Sequence, residues 1–201
     1  MNKFENLKQT LKLEYNPIGI KLIYNFNKNL SNKLKFKEVS KSRRFCEYIK
    51  MASQGEFLKV QNGNFSCHKK KGILGFNEPD NIELTMRLEA KGLEYILLFP
   101  INKLQVEEYD SIILILNPHN CMYIVEAYVR LYQKPLKATC GIIDGVCSEV
   151  TAYVIKRNEV NFSFLCPNSR LNGIFSDCEL LCGIPVKMID ELIEEIIQIT
   201  S

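Results

Sequence analysis

Four cysteines of this chain fall into two similar settings. Cys46 and Cys67 have twenty residues between them; Cys147 and Cys166 have eighteen. The surrounding segments read FCEYIKMASQGEFLKVQNGNFSCHKKKGILGF, from Phe45 to Phe76, and VCSEVTAYVIKRNEVNFSFLCPNSRLNGIF, from Val146 to Phe175. In each, a cysteine opens a helical pattern, an Asn-Phe-Ser run follows, and a second cysteine leads into a basic stretch containing Gly-Ile. Four thiolates gathered by such a pair would hold Zn²⁺ or an iron–sulfur cluster, both of which accept four cysteines. There is no C-x₂-C knuckle and no ferredoxin-type run, so the signal lies in the internal likeness. Four separately buried, inert cysteines are the plainer alternative, because free Cys is among the most buried residue types.

The flanks favour a site. Arg43 and Arg44 precede Cys46; His68, Lys69, Lys70 and Lys71 follow Cys67; Arg170 stands four residues after Cys166. Cations beside a four-thiolate centre offset its negative charge. The same Arg43, Arg44, Lys69, Lys70, Lys71 and Arg170 are candidates for holding a small anion, or else form solvated basic turns. His68 abuts Cys67 as a fifth donor or a proton donor. Glu47 and Glu149, near the first cysteine of each segment, read as partners of the helix dipole. Lys-Lys-Lys-Gly-Ile-Leu-Gly is no phosphate-binding loop, because it lacks G-x-x-x-x-G-K-[ST]. Cys121, Cys140, Cys178 and Cys182 read as core or surface residues.

The chain of 201 residues carries 26 basic and 23 acidic side chains, a net charge of +3 that argues for neither a nucleic-acid nor a membrane partner. No apolar run reaches membrane-span length, and the N-terminal residues lack the pattern of a secretory signal. A soluble cytoplasmic protein is expected. In that compartment thiols stay reduced, so eight cysteines point to ligation or burial rather than to disulfides.

The elements that must position these cysteines alternate. Helices are expected over 2–14, 45–58, 82–91, 118–132, 147–155 and 186–199. Strands are expected over 17–24, 60–65, 93–100, 111–117, 137–141 and 160–164. In the last of these, Val160, Phe162 and Phe164 alternate with Asn161 and Ser163. The expected fold is α/β: a mixed sheet with flanking helices in a single domain over 1–201. Its internal pseudo-repeat, about 45–76 and 146–175, suggests two pseudo-symmetric half-units sharing one core.

Asn16-Pro17-Ile18-Gly19-Ile20-Lys21, Arg44-Phe45-Cys46, Cys67 with Gly72-Ile73-Leu74-Gly75-Phe76, Asn117-Pro118, Phe164-Leu165-Cys166 with Ser169-Arg170, and Gly183-Ile184-Pro185 follow one another in order. In this the chain resembles domain-of-unknown-function family 169, found in archaea and anaerobic bacteria, over nearly its whole length. The resemblance implies that Cys46, Cys67, Cys147 and Cys166 are the family-type set, and it implies anaerobic metabolism; it supplies no substrate. The leading expectation is an iron–sulfur protein with one [4Fe–4S] cluster on those four cysteines. It would serve electron transfer to a redox partner or redox chemistry on a small anionic ligand. One alternative is a structural zinc-binding or small-molecule-binding module without redox activity. Another is a cluster-free enzyme with a reactive cysteine thiolate.

Overall fold

The computed structural model describes residues 2–24, 36–67, 70–76, 86–88, 92–103, 108–141, 144–172 and 174–200. Its centre is a seven-stranded sheet. In chain order the strands are β1 (Ile18–Tyr24), β2 (Lys37–Glu38), β3 (Leu58–Gln61), β4 (Leu93–Pro100), β5 (Ser111–Leu116), β6 (Asn161–Ser163) and β7 (Leu180–Pro185). In space they run β2-β3-β4-β1-β5-β7-β6. Only β2 and β3 pair in parallel; the other neighbours are antiparallel. The sheet is therefore mixed and the fold α/β.

Successive side chains of a strand point to opposite faces, and here both faces are covered. On one, Ile18, Ile20, Ile96, Leu98, Ile113, Ile115 and Leu181 join Phe45, Tyr48, Ile49, Cys147 and Val150. On the other, Ile23, Leu97, Phe99, Ile112, Leu114 and Ile184 join Leu7, Ile124, Leu192 and Ile196. Two-sided burial explains the unbroken apolar run of β5, all of whose residues are buried.

The second face is roofed by α1 (Lys3–Thr10), α4 (Pro118–Tyr132) and α7 (Val186–Thr200). Asn117 caps α4: its side chain accepts the Asn120 N–H at 2.9 Å, and Pro118 occupies the first helical position, where no N–H is needed. α7 buries Ile189, Leu192, Ile193 and Ile196, each contributing roughly 1.5–3 kcal/mol. No helix among the described residues is long and apolar enough to cross a membrane.

The first face carries the cysteine segments: α2 (Phe45–Ser53), the short α3 (Lys70–Ile73), a π-helical stretch Gly145–Ala152 continuing as α5 (Tyr153–Arg157), and α6 (Pro167–Leu171). With β2 set aside, the strand order β3-β4-β1-β5-β7-β6 reads symmetrically about the β1–β5 boundary. Along the chain, β1, α2, β3, α3, β4 is matched by β5, the π-helical stretch, β6, α6, β7.

Several expectations are corrected. The first helix ends at Thr10, because Lys12 adopts φ +50°, and α2 ends at Ser53 rather than running to residue 58. Residues 137–141 form no strand: the Asn161 amide takes both the N–H and the C=O of Thr139, at 2.8 and 2.9 Å, where a strand partner would stand. The helix expected over 82–91 lies outside the described residues apart from 86–88, which are not helical.

Candidate metal centre

In the first half, Cys46 sits in the opening turn of α2. Glu47 secures that turn by accepting the Arg44 N–H at 2.8 Å, and its carboxyl also faces Arg43 at 3.4 Å. This is the end-capping role its position suggested. Backbone bonds then bring the second cysteine alongside. Arg43 N donates to Asn64 O and Ser66 N donates to Arg43 O, both at 2.9 Å. The buried Tyr48 hydroxyl lies 2.8 Å from the Lys41 carbonyl and 2.7 Å from that of Asn64. Cys67, the next residue after Ser66, is thereby held beside the start of α2.

In the second half, the π-helical stretch opens with Ser148 N donating to Asp144 O at 2.7 Å, and Thr151 Oγ1 donates to Val146 O at 2.8 Å. Two glycines let this backbone come close to its neighbours. A Cβ on Gly183 of β7 would lie 2.5 Å from the Val150 carbonyl oxygen; one on Gly145 would lie 2.8 Å from Leu165 Cα and 3.0 Å from Cys166 N. Only glycine allows such approach. Leu165 itself has φ +70°, which costs a residue with a side chain roughly 1–2 kcal/mol. It turns the chain so that Cys166 becomes the N-cap of α6, with Pro167 next.

Beneath the stretch lies a polar network. Glu149, though 6% exposed, receives the Gly141 N–H at 2.5 Å and the Ser163 hydroxyl. Asn161 Nδ2 donates to the Glu149 carbonyl at 2.9 Å. Asn161 and Ser163 are therefore the inward residues of β6, fully buried, while Phe162 is half-buried and Phe164 is 58% exposed. The apolar set of 160–164 serves the other face, with Val160 buried in the second cluster, Phe162 packed against it and only Phe164 exposed. Satisfied hydrogen bonds make burial of the polar residues affordable.

The two halves meet. One small cavity of about 30 Å³ is lined by Cys46, Cys67, Cys147 and Cys166, together with Arg44, Phe45, Asp144, Val146, Asn168 and Ser169. All four cysteines stand at or just before the start of a helical segment, where backbone N–H groups favour negative charge. Burial pushes the Cys46 thiol up to about 11; nearby Cys166 and Cys67 add to the rise, and a hydrogen bond with Ser169 opposes it. Cys46 is thus a thiol at neutral pH, and a metal binding there would displace its proton. Among the described residues no three His, Cys, Asp or Glu side chains stand close enough to hold a metal ion as they are. The cysteines share a cavity without closing around one point.

The halves are also fastened at the far end of α2. Lys50 Nζ lies 2.8 Å from Glu179 Oε1, 3.7 Å from the Tyr15 ring centroid and 5.0 Å from that of Phe175. Burial alone would raise the Glu179 carboxyl; the bonds from Lys50 and from Ser176 N outweigh it and hold the carboxyl below its usual range.

The expected anion-binding residues separate. Arg44 lines the cavity. Arg43 faces Glu47. Arg170 donates to the carbonyls of Phe164, Ser176 and Glu179, bracing the loop after α6. Lys69 and His68 lie outside the described residues; Lys70 and Lys71 fall in α3, outside the described side chains. The remaining cysteines stay away from the cavity. Cys178 is exposed in a turn and Cys182 is buried in β7, so the two share no helix face. Burial raises the thiols of Cys121, to about 11, and of Cys182. Cys140 is exposed, with its Sγ 3.4 Å from the Phe162 carbonyl.

Sequence reasoning gave Asp144 and Ser169 no role in the site and read Glu149 only as a partner of the helix dipole. Asp144 and Ser169 line the cavity, the first three residues before Cys147 and the second three after Cys166. Glu149 anchors the π-helical stretch rather than serving its dipole. Three-residue spacing from a ligand was the available signal for Asp144 and Ser169, since it spans about one helical turn.

The model of the family resembled above, described as uncharacterised ArCR, matches residues 6–87 and 80–195. No curated protein and no solved structure matches the chain.

Proposed function

The chain belongs to domain-of-unknown-function family 169, and we propose that it is an iron–sulfur protein holding one [4Fe–4S] cluster on Cys46, Cys67, Cys147 and Cys166. Its role is electron transfer with a redox partner, or redox chemistry on a small anionic ligand, in the cytoplasm of an anaerobic cell. One observation carries the reading: four cysteines from distant parts of the chain line a single cavity. Four soft donors at helix starts suit such a cluster. When bound, the group supplies one-electron chemistry. The chain's own contribution is electrostatic. The helix starts and Arg44 offset the negative charge of four thiolates, and Phe45 and Val146 limit water at the sulfurs. A small anion would be drawn to the Arg44 side of the cavity.

Zinc is the second reading, favoured by a small cavity, about 30 Å³, with four soft donors in its wall. Zn²⁺ would make the site structural and the protein a binding module.

Purification without oxygen, followed by a visible spectrum and iron, sulfide and zinc assays, separates these. The cluster gives a broad brown absorbance with iron and sulfide in equal amounts. Colourless protein with bound zinc selects the second reading. A metal-free, fully folded protein removes both. Replacing any one of the four cysteines by Ser abolishes loading, whereas Cys140→Ser and Cys178→Ser leave it unchanged.

A further inference from the structure

Ser169 is fully buried, at the third position of α6, in the wall of the cysteine cavity. Its Oγ lies 3.3 Å from Cys166 Sγ, and Cys46 lines the same cavity. The hydroxyl therefore contacts a sulfur of the second half in the wall that the first half completes. Its placement is enforced by the backbone: Ser169 N donates to Cys166 O at 3.0 Å and Ile174 N donates to Ser169 O at 3.2 Å, so the residue cannot swing away without unwinding α6.

A thiol sulfur is a weak acceptor, while a thiolate is charged and accepts more strongly. A buried hydroxyl aimed at sulfur gains most of its bond energy when the sulfur carries negative charge, which is the state that binds metal. The same contact restrains the Cys166 side chain toward the cavity that Cys46 also lines.

We propose that Ser169 is a positioning residue of the metal centre, donating its O–H to the ligated sulfur of Cys166 and so retaining the metal. The proposal rests on the metal reading above. It holds for zinc and for a cluster alike, because both ligate through thiolate.

The test uses Co²⁺ as a spectroscopic probe on reduced, metal-free protein, kept anaerobic. Wild-type protein develops thiolate-to-cobalt charge-transfer bands. Ser169→Ala binds Co²⁺ about 10–100-fold more weakly, the usual range for loss of a partner behind a ligand. Its bands move to lower energy, because a sulfur without its hydrogen bond gives up electron density more readily. Ser169→Thr, which keeps the hydroxyl, restores affinity and band position. Ser169→Val, matched in volume to Thr, does not, and this pair carries the comparison if Ser169→Ala fails to fold. Wild-type affinity and bands in Ser169→Ala, or equal behaviour of the Thr and Val variants, overturn the role of Ser169 and leave the metal reading standing. Wild-type protein that takes up none of cobalt, zinc or iron overturns both.

Discussion

The two cysteine segments dock on the same face of the sheet by different chemistry. In the first, the inward residues of β3 are Leu58 and Val60, which join Phe45, Tyr48, Ile49 and Ala52 of α2 in an apolar cluster. In the second, the matching strand β6 turns Asn161 and Ser163 inward, and these bond Glu149 of the helical stretch above. Apolar packing is non-directional and tolerates small shifts. A hydrogen-bond network accepts one register, since each donor must find its acceptor. The first cysteine helix is therefore held by shape, and the second by direction. The second half also carries the strained Leu165 and the close-packed Gly145, so the tighter geometric demands fall on Cys147 and Cys166.

The comparison breaks most sharply at Glu149. Glu149→Ala strands the Ser163 hydroxyl and the Gly141 N–H, costing roughly 3–5 kcal/mol, and metal loading falls with stability. Denaturant unfolding checks this; a loss under about 1 kcal/mol would show that the network is dispensable. Leu58→Ala, its apolar counterpart, costs about 2–3 kcal/mol in the same measurement. That is the low end for such a cavity, because β3 is flanked outward only by the two-residue β2 and can relax.

Gly145→Ala comes next, at about 1–3 kcal/mol, with impaired loading because the new methyl group pushes the helical stretch off Cys166. Arg44, equally placed two residues before its cysteine, should cost under about 1 kcal/mol as Arg44→Ala. If the two cost the same in paired thermal melts, the second half is no tighter than the first.

The last test concerns the fastening between halves. Glu179 has its folded pKa lowered, so it stabilises the protein above the unfolded carboxyl range. That contribution is lost as pH falls through that range toward the folded value. Lys50→Met removes the partner, costs about 1–2 kcal/mol at neutral pH and flattens this acid limb. Stability measured against pH from neutral to acid reads it directly; an unchanged acid limb would remove Lys50–Glu179 from the account.

Much of the scaffold was legible because it is local. The Asn117-Pro118 cap, the apolar run of β5 and the face of α7 each follow from neighbouring residues. That Cys46, Cys67, Cys147 and Cys166 stand in two like settings was legible too, since two similar segments expose their own correspondence. The polar underside of β6 was not. Alternation reports which residues differ in polarity, but the strand partner fixes which set faces in. Asn161 pairs with Gly183, on the face where Gly183 meets Val150, and that alignment commits Asn161 and Ser163 to the interior.

By itself, then, the sequence determined which cysteines share a setting, their covalent spacing and the helices that start beside them, because these depend on short-range chemistry. The tertiary structure alone decided that the two pairs open onto one cavity, that Arg170 is committed to backbone carbonyls, and that the Ser169 hydroxyl meets the Cys166 sulfur in the cavity wall. Each of these depends on segments far apart in the chain being brought together by the sheet, and no local pattern encodes that juxtaposition.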